Sequence, residues 1–257
     1  MSRIKDWYGK RLTLIAPHPD DIAYSIGGFV SQLAAVSTLE VVTVFTQSRW
    51  ALPKSLRNSG AAIISKVRVK EEQTFCQNFK MKLYPLGLSD SSLSGYDDGN
   101  ERQLEFTQGQ LTDDIRTSIV LEKLHQVLAE SRPDIVIAPA AIGHHIDHQI
   151  VHHAICSLQN NQWQLVFYED LPYAYEFTLD ILEKQLTERK LRVLETISID
   201  QTLADKYTAL SNYASQTDQE TINAIIAHAQ RLAQMYFHTG KTVHHAERFW
   251  EKICQYQ

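Results

Sequence analysis

Three observations predict an α/β fold. Short strand-like runs recur along the chain, and segments of helical period separate them. Three of the runs are rich in Val and Ile and nearly continuous in hydrophobicity, as strands buried on both faces should be. Strand alternating with helix means βαβ units and a parallel sheet covered by helices. The expected class is a Rossmann-like, mostly parallel sheet flanked by helices, with a helical C-terminal third.

In chain order, the first strand is Leu12 to Ala16, and a Gly-Gly pair at Gly27 and Gly28 opens a helix reaching Val36. Leu39 to Thr46 is the second strand, followed by a helix from Lys66 to Phe79 and a third strand from Met81 to Leu86. A long helix from Leu111 to Ser131 leads to the strand Asp134 to Ala138, then to a helix from His148 to Leu158. Leu165 to Tyr168 is the last strand, since the strand signal fades after Asp170. Thr202 to Ala214, Glu220 to Met235 and Val243 to Cys254 read as helices.

The chain's 257 residues suit one large domain or two small ones, and no repeat, low-complexity segment or Gly/Ser linker divides them. One domain over 1–257 is expected. A hydrophobic content of 44% sustains a sizeable core and argues against disorder. The formal charge of -5, scattered along the chain, disfavours general nucleic-acid or anionic-membrane binding. Cys76, Cys156 and Cys254 lie far apart with no CxxC pair, against a disulfide framework or a thiolate zinc site. No apolar run approaches a membrane span, and the first residues lack a signal-peptide core, so a cytoplasmic location without stable membrane insertion is expected.

Ligands of open parallel sheets bind beyond the carboxyl ends of the strands. Two polar clusters fall there. "PHPDD", Pro17 to Asp21, follows the first strand, and "GHHIDHQIVHH", Gly143 to His153, follows Ile135 to Ala138. Zinc takes imidazole nitrogen and carboxylate oxygen, and a catalytic zinc keeps three protein ligands plus a water. His18 with Asp20 or Asp21, and a histidine of the second cluster, could supply the three ligands. The metal would bring the pKa of its water to roughly 7, and the remaining aspartate would be the general base. Two adjacent carboxylates repel unless a cation binds one of them. The competing readings are an Asp that caps the following helix and a His-rich helix start that is merely solvated.

"PHPDD" before a Gly-Gly helix and a later "HIDH" resemble the LmbE/PIG-L family of zinc-dependent N-deacetylases, with weaker similarity from Leu12 to about Gln216. The resemblance implies zinc held by His18, Asp21 and His148, with Asp20 as general base. It implies that His145 is the charged partner of the oxyanion and leaving amine, oriented by Asp147. Ile22 departs from the family's usual glutamate, at a position that is not a ligand. His144 competes with His145, but the H-x-D-H register favours His145.

On the substrate side, Arg68 and Glu71 fit the family's R-x-x-E, against an ordinary surface ion pair. Asp90 lies on the ligand edge and would bind sugar hydroxyls, against a turn-forming role. "NYASQ", Asn212 to Gln216, reads as structural, and the aromatic Tyr168 to Glu176 as either a pocket wall or a self-packed loop. Ser89 to Asn100 reads as a loop that could cover the site. The expected activity is removal of an N-acetyl group from an N-acetylglucosamine-type sugar or glycoconjugate. The alternatives are an amidase cleaving a larger acyl group, or a non-catalytic Rossmann-like sugar- or nucleotide-binding protein. A small-molecule substrate is the expected partner, and a homo-oligomer stays open.

Overall fold

The strands β1 (Arg11–Ala16), β2 (Thr38–Gln47), β3 (Lys82–Ser89), β4 (Ile135–Pro139), β5 (Gln164–Tyr168), β6 (Leu191–Ser198) and β7 (Ala246–Lys252) form one sheet. Their order is β3-β2-β1-β4-β5-β7-β6 in the computed structural model, which describes residues 3–96, 111, 113–160, 162–236 and 242–253. The pairings from β3 across to β5 are parallel, and β7 runs antiparallel to both β5 and β6. Chain order reverses direction between β1 and β4, which makes their carboxyl ends the topological switch point where such sheets open a crevice.

Helices α1 (Asp21–Ala34), α2 (Ala61–Asn78), α3 (Ile115–Ser131), α4 (Ile146–Leu158), α5 (Leu179–Glu188), α6 (Leu203–Ser211) and α7 (Gln219–Tyr236) flank the sheet. Alternation along β1 sorts the core. Leu12, Leu14 and Ala16 pack with Ile22, Phe29, Phe75 and Tyr213 on one face. Ile15 packs on the other with Val120 and Leu124 of α3 and Ile150 of α4. Each such fully buried side chain contributes roughly 1.5–3 kcal/mol, which is why the central strand accepts almost nothing polar.

Two sequence expectations change. The first helix starts at Asp21, and the glycines fall inside it, just after a kink at Ile26 (φ -135°, ψ 23°). The kink frees backbone groups that buried charges then satisfy. Glu247 accepts the amides of Gly28 (3.1 Å) and Phe29 (2.8 Å), while Lys206 Nζ donates to the Tyr24 carbonyl (3.0 Å) and to Glu247 (2.5 Å). A Cβ on Gly28 would lie 2.9 Å from Ile199, so close packing requires glycine here.

The second change is at the C-terminal end, where helices α5 to α7 alternate with two strands. Val243 to Cys254 is not a helix: its described part carries β7, and Cys254 lies outside the described residues. β6 went unpredicted as well. In β7, "AERFWEK" masks the strand because Glu247 and Arg248 are buried through ion pairs and not through apolar chemistry. Arg248 donates to Glu169 (2.5 Å) and Glu183 (2.6 Å), and His228 Nε2 lies 2.6 Å from Glu169.

Burial alone would raise the Glu169 pKa, but Arg248, His228 and Trp250 hold it at about 2, below the ordinary 4.5. A carboxylate depressed on folding stabilises above its unfolded value and loses that contribution as pH falls through the folded one. The melting temperature should therefore fall between about pH 4.5 and pH 2. Glu169→Gln should melt lower near neutrality and show a shallower acid slope. An unchanged slope would remove Glu169 from the acid response.

Candidate active site

Consecutive carboxyl ends of the parallel strands each deliver part of one site. His18, Asp20 and Asp21 follow β1, Ser48 and Trp50 follow β2, Asp90 and Ser91 follow β3, His145 and His148 follow β4, and Asp170 follows β5. Both sequence clusters thus meet at the switch point, beside an open cavity of about 450 Å³ lined by His18, Asp20, Asp21, Arg68, Asp90 and His145, among others. That volume is in the range of small-ligand pockets.

His18, Asp21 and His148 converge, with ligand atoms all within 4.8 Å of one another. His18 Nδ1 lies 3.6 Å from Asp21 Oδ2, and His148 Nε2 lies 3.5 Å from Asp21 Oδ1. The far nitrogen of each ring meets a carboxylate: His18 Nε2 is 2.9 Å from Asp147 Oδ2, and His148 Nδ1 is 2.7 Å from Asp170 Oδ1. An ionised carboxylate only accepts, so the far nitrogen of each ring donates, and the near nitrogen is the one that would turn a lone pair to a metal. His148 Nε2 is buried with no hydrogen-bond partner, an orphan that a cation would satisfy. Imidazole ligands of zinc are held this way by outer carboxylates.

The electrostatics agree. Burial pushes Asp21 well above the usual carboxylate range, against the pull of His18, and neighbouring Asp20 adds to the rise. Burial, reinforced by neighbouring His18, holds His148 well below its ordinary value and so neutral. Burial likewise lifts Asp170 to about 7, against the Ile142 amide and Arg189. Carboxylates driven to protonate around a neutral imidazole describe a site short of positive charge, and the donor set fits zinc.

Asp20 stands at the N-cap position of α1 but makes no side-chain cap bond, so the capping alternative fails for it. Its φ of 118° is rare for a residue with a Cβ, and this strain turns the carboxyl into the cavity wall. Burial lifts its pKa to about 6, opposed by Arg68 and His18.

His145, and not His144, lines the cavity. It caps α4 by accepting the Asp147 amide at Nδ1 (3.2 Å), so its ring proton sits on Nε2. Tyr173 stacks on the His145 ring, centroids 6.1 Å apart. Gly143 permits that approach: its φ is 81°, and a Cβ there would lie 2.4 Å from the Tyr173 Cβ.

Asp147 differs from its expected partnership. Its carboxylate is 4.0 Å from His145 Nδ1, while its hydrogen bonds come from His18, from Arg116 Nη1 (2.6 Å) and from the Ser91 amide (2.9 Å). The reason is geometric: the first turn of α4 points this side chain back toward β1. Burial alone would raise its pKa, but the His18 bond and the neighbouring His145, His18 and Arg116 hold it well below the carboxylate range.

Arg68 is buried, donates to Ser48 Oγ (2.8 Å) and lies 3.8 Å from Asp90. Glu71 turns away and accepts from the Ser215 amide (2.9 Å) and hydroxyl (2.5 Å), which removes the surface-pair alternative. Asp90 is also buried and accepts from Ser92 Oγ (2.5 Å). In "NYASQ", Tyr213 braces Glu72, and Gln216, which also lines the cavity, donates to the Pro19 carbonyl (2.9 Å), fixing the first motif loop. Ile22 lies in the core under α1, away from the cavity. Of the Ser89–Asn100 loop, 97–100 lie outside the described residues. Sequence reasoning missed Asp170, Arg116, Ser48 and Ser91. Asp170 alone carried a signal, a carboxylate just beyond the last parallel strand.

Residues 13–158 match the PIG-L family, described as GlcNAc-PI de-N-acetylase. The 2'-N-acetylparomamine deacetylase of Streptomyces fradiae is 35% identical over 254 residues, covering 93% of this chain and 89% of that one. Among solved structures, a deacetylase of the teicoplanin biosynthesis pathway superposes with TM-score 0.71 at 20% identity, covering 96% of this chain and 100% of that one. The zinc-inhibited form of teicoplanin deacetylase gives 0.69 at 20% identity, over 93% and 97%. At those identities the two structures speak to the fold alone, which they share with this chain. The matched residues hold both motif clusters and the strands that carry them, and the chain belongs to the PIG-L family.

Proposed function

We propose that the chain is a zinc-dependent N-deacetylase that releases acetate from an N-acetylated amino sugar, of the kind named for its Streptomyces relative. One observation carries this reading: His18 Nδ1 and His148 Nε2 converge on Asp21, the latter a buried orphan nitrogen, at the wall of a cavity that also holds Asp20 and His145. His18, Asp21 and His148 would hold the ion. When bound, zinc supplies a positive charge that acidifies water and polarises a carbonyl.

The chain's own groups then divide the work. Asp20 takes the proton from the attacking water as oxygen bonds to the amide carbon. His145, with its proton on Nε2, donates a hydrogen bond to the carbonyl oxygen as negative charge develops there. Its Nδ1 accepts the Asp147 amide, which leaves Nε2 as the donor toward the substrate. When the carbon–nitrogen bond breaks, Asp20 returns the proton to nitrogen, giving acetic acid and a free amine, which leave as acetate and ammonium. Arg68 and Asp90 face the cavity and hold the sugar hydroxyls, while Trp50 and Tyr173 offer aromatic faces to its ring.

Acetate and free amine measured on a panel of N-acetylated amino sugars test the reading. Equimolar release that a chelator stops and added zinc restores is expected. A zinc-loaded chain that releases a longer acid, or nothing, overturns it. Arg68→Ala and Asp90→Ala should raise KM about tenfold or more, the scale of losing a hydrogen bond to a charged group. Unchanged kinetics in both would return these residues to a purely structural role.

A further inference from the structure

Arg116 has no place in the motifs, yet it touches the hub of the site. It lies on α3, and its guanidinium is clamped on several sides. Asp114, the cap of that helix, accepts from Nε (3.1 Å) and Nη2 (2.8 Å). The rings of Tyr96 and Phe45 lie 5.0 and 5.6 Å from the guanidinium carbon. The remaining arm, Nη1, donates to Asp147 Oδ1 at 2.6 Å. Because the fork is rigid and planar, fixing two of its nitrogens aims the third.

The effect passes to the cradle. With Oδ1 pinned by Arg116, the other oxygen of Asp147 faces both the Ser91 amide (2.9 Å) and His18 Nε2 (2.9 Å). The carboxylate cannot rotate without breaking one of these bonds. The His18 ring is thereby set so that Nδ1 stands 3.6 Å from Asp21.

We propose that Arg116 is a positioning residue for metal binding, acting through Asp147 to orient the His18 lone pair. The inference rests on the zinc reading of the cradle. It assigns to α3, an element outside both motifs, a share of the site's affinity for the ion. Removing the guanidinium frees Oδ1, leaves a buried carboxylate without its charged partner, and lets the His18 ring swing.

The test is the zinc affinity of the folded chain, read by competition with a chelator of known affinity, with no turnover involved. Arg116→Gln should weaken zinc binding about 10- to 100-fold, the usual scale for losing such an outer partner. Arg116→Lys, which keeps the charge without the fork, should fall between Arg116→Gln and the wild type. Asp147→Asn should lose as much as Arg116→Gln, and the double variant should lose no more than about threefold beyond Asp147→Asn, since residues acting through one contact are not additive. Val120→Ala, in the core beneath the same helix, should lower the melting temperature while leaving zinc affinity unchanged. If Arg116→Gln does not fold, the Arg116→Lys cycle with Asp147→Asn carries the test.

Wild-type zinc affinity in both Arg116 variants overturns the inference. So does full additivity with Asp147→Asn, or a loss in Val120→Ala equal to that in Arg116→Gln. A wild-type chain that binds no zinc overturns the cradle reading and this inference together.

Discussion

Asp20→Asn should keep zinc at wild-type stoichiometry and lose about 100- to 10,000-fold in acetate release, the range for removing a general base. The substitution is nearly isosteric. Asparagine also tolerates positive φ better than most residues, so the backbone at 118° is preserved. The cap is not disturbed, because Asp20 makes no side-chain cap bond. The Tyr24 amide bonds to the backbone carbonyl of Asp20 (2.9 Å), which the change leaves in place. What disappears is the ability to take a proton from water and return it to nitrogen. A loss in kcat with little change in KM would place the interaction in the transition state. Near-wild-type turnover by the zinc-loaded variant would remove Asp20 as base. Pairing it with His145→Ala should cost far less than the product of the two single losses, since base and oxyanion donor serve one step.

The parallel part of the fold was legible because its strands are buried through apolar chemistry. Leu12 to Ala16 and Ile135 to Ala138 read as strands since both faces meet hydrophobic side chains. β7 was not legible for the opposite reason. Glu247 and Arg248 are as buried as the core, but Lys206, Glu169 and Glu183 neutralise them, and no local rule identifies a charge whose partner lies far along the chain. The glycines of α1 misled in the same way. They signal a helix start, yet Gly28 is glycine because Ile199 packs against it.

The site divides along the same line. His18, Asp20, Asp21, His145 and His148 came from compact motifs that fall beyond strand ends. Residues that hold those groups in place came from elsewhere in the chain: Asp170 for His148, Arg116 and Ser91 for Asp147, Gln216 for Pro19. A fold can draw such supports from any element within reach, so their spacing carries no pattern. Asp147 shows the limit within a motif. Its place beside His145 suggested a partnership, which its amide bond and 4.0 Å ion pair keep, but the ring hydrogen-bonded to its carboxylate is that of His18.

His148→Ala should abolish stoichiometric zinc while leaving a folded chain. The two effects separate through the response of stability to the ion. A ligand that binds only the folded state stabilises it in proportion to the logarithm of its concentration over Kd, about 4 kcal/mol at a thousandfold excess. The wild-type melting temperature should therefore climb as zinc is added, and that of the variant should stay flat. Without zinc, the variant gives up the bond to Asp170 Oδ1 and leaves that buried oxygen unpaired, at a cost of about 1–3 kcal/mol. Part of this is returned, because the orphan Nε2 of His148 goes with it. The Ile142 amide still holds Asp170 Oδ2 at 2.9 Å, so the β5 end of the cradle keeps its place. The cavity left between His18 and Tyr173, whose rings lie 5.2 and 5.5 Å from that of His148, is lined by polar groups and can take water. A His148→Ala chain whose melting temperature still rises with zinc would mean that the ion sits on other groups, and the assignment of His18, Asp21 and His148 would fall.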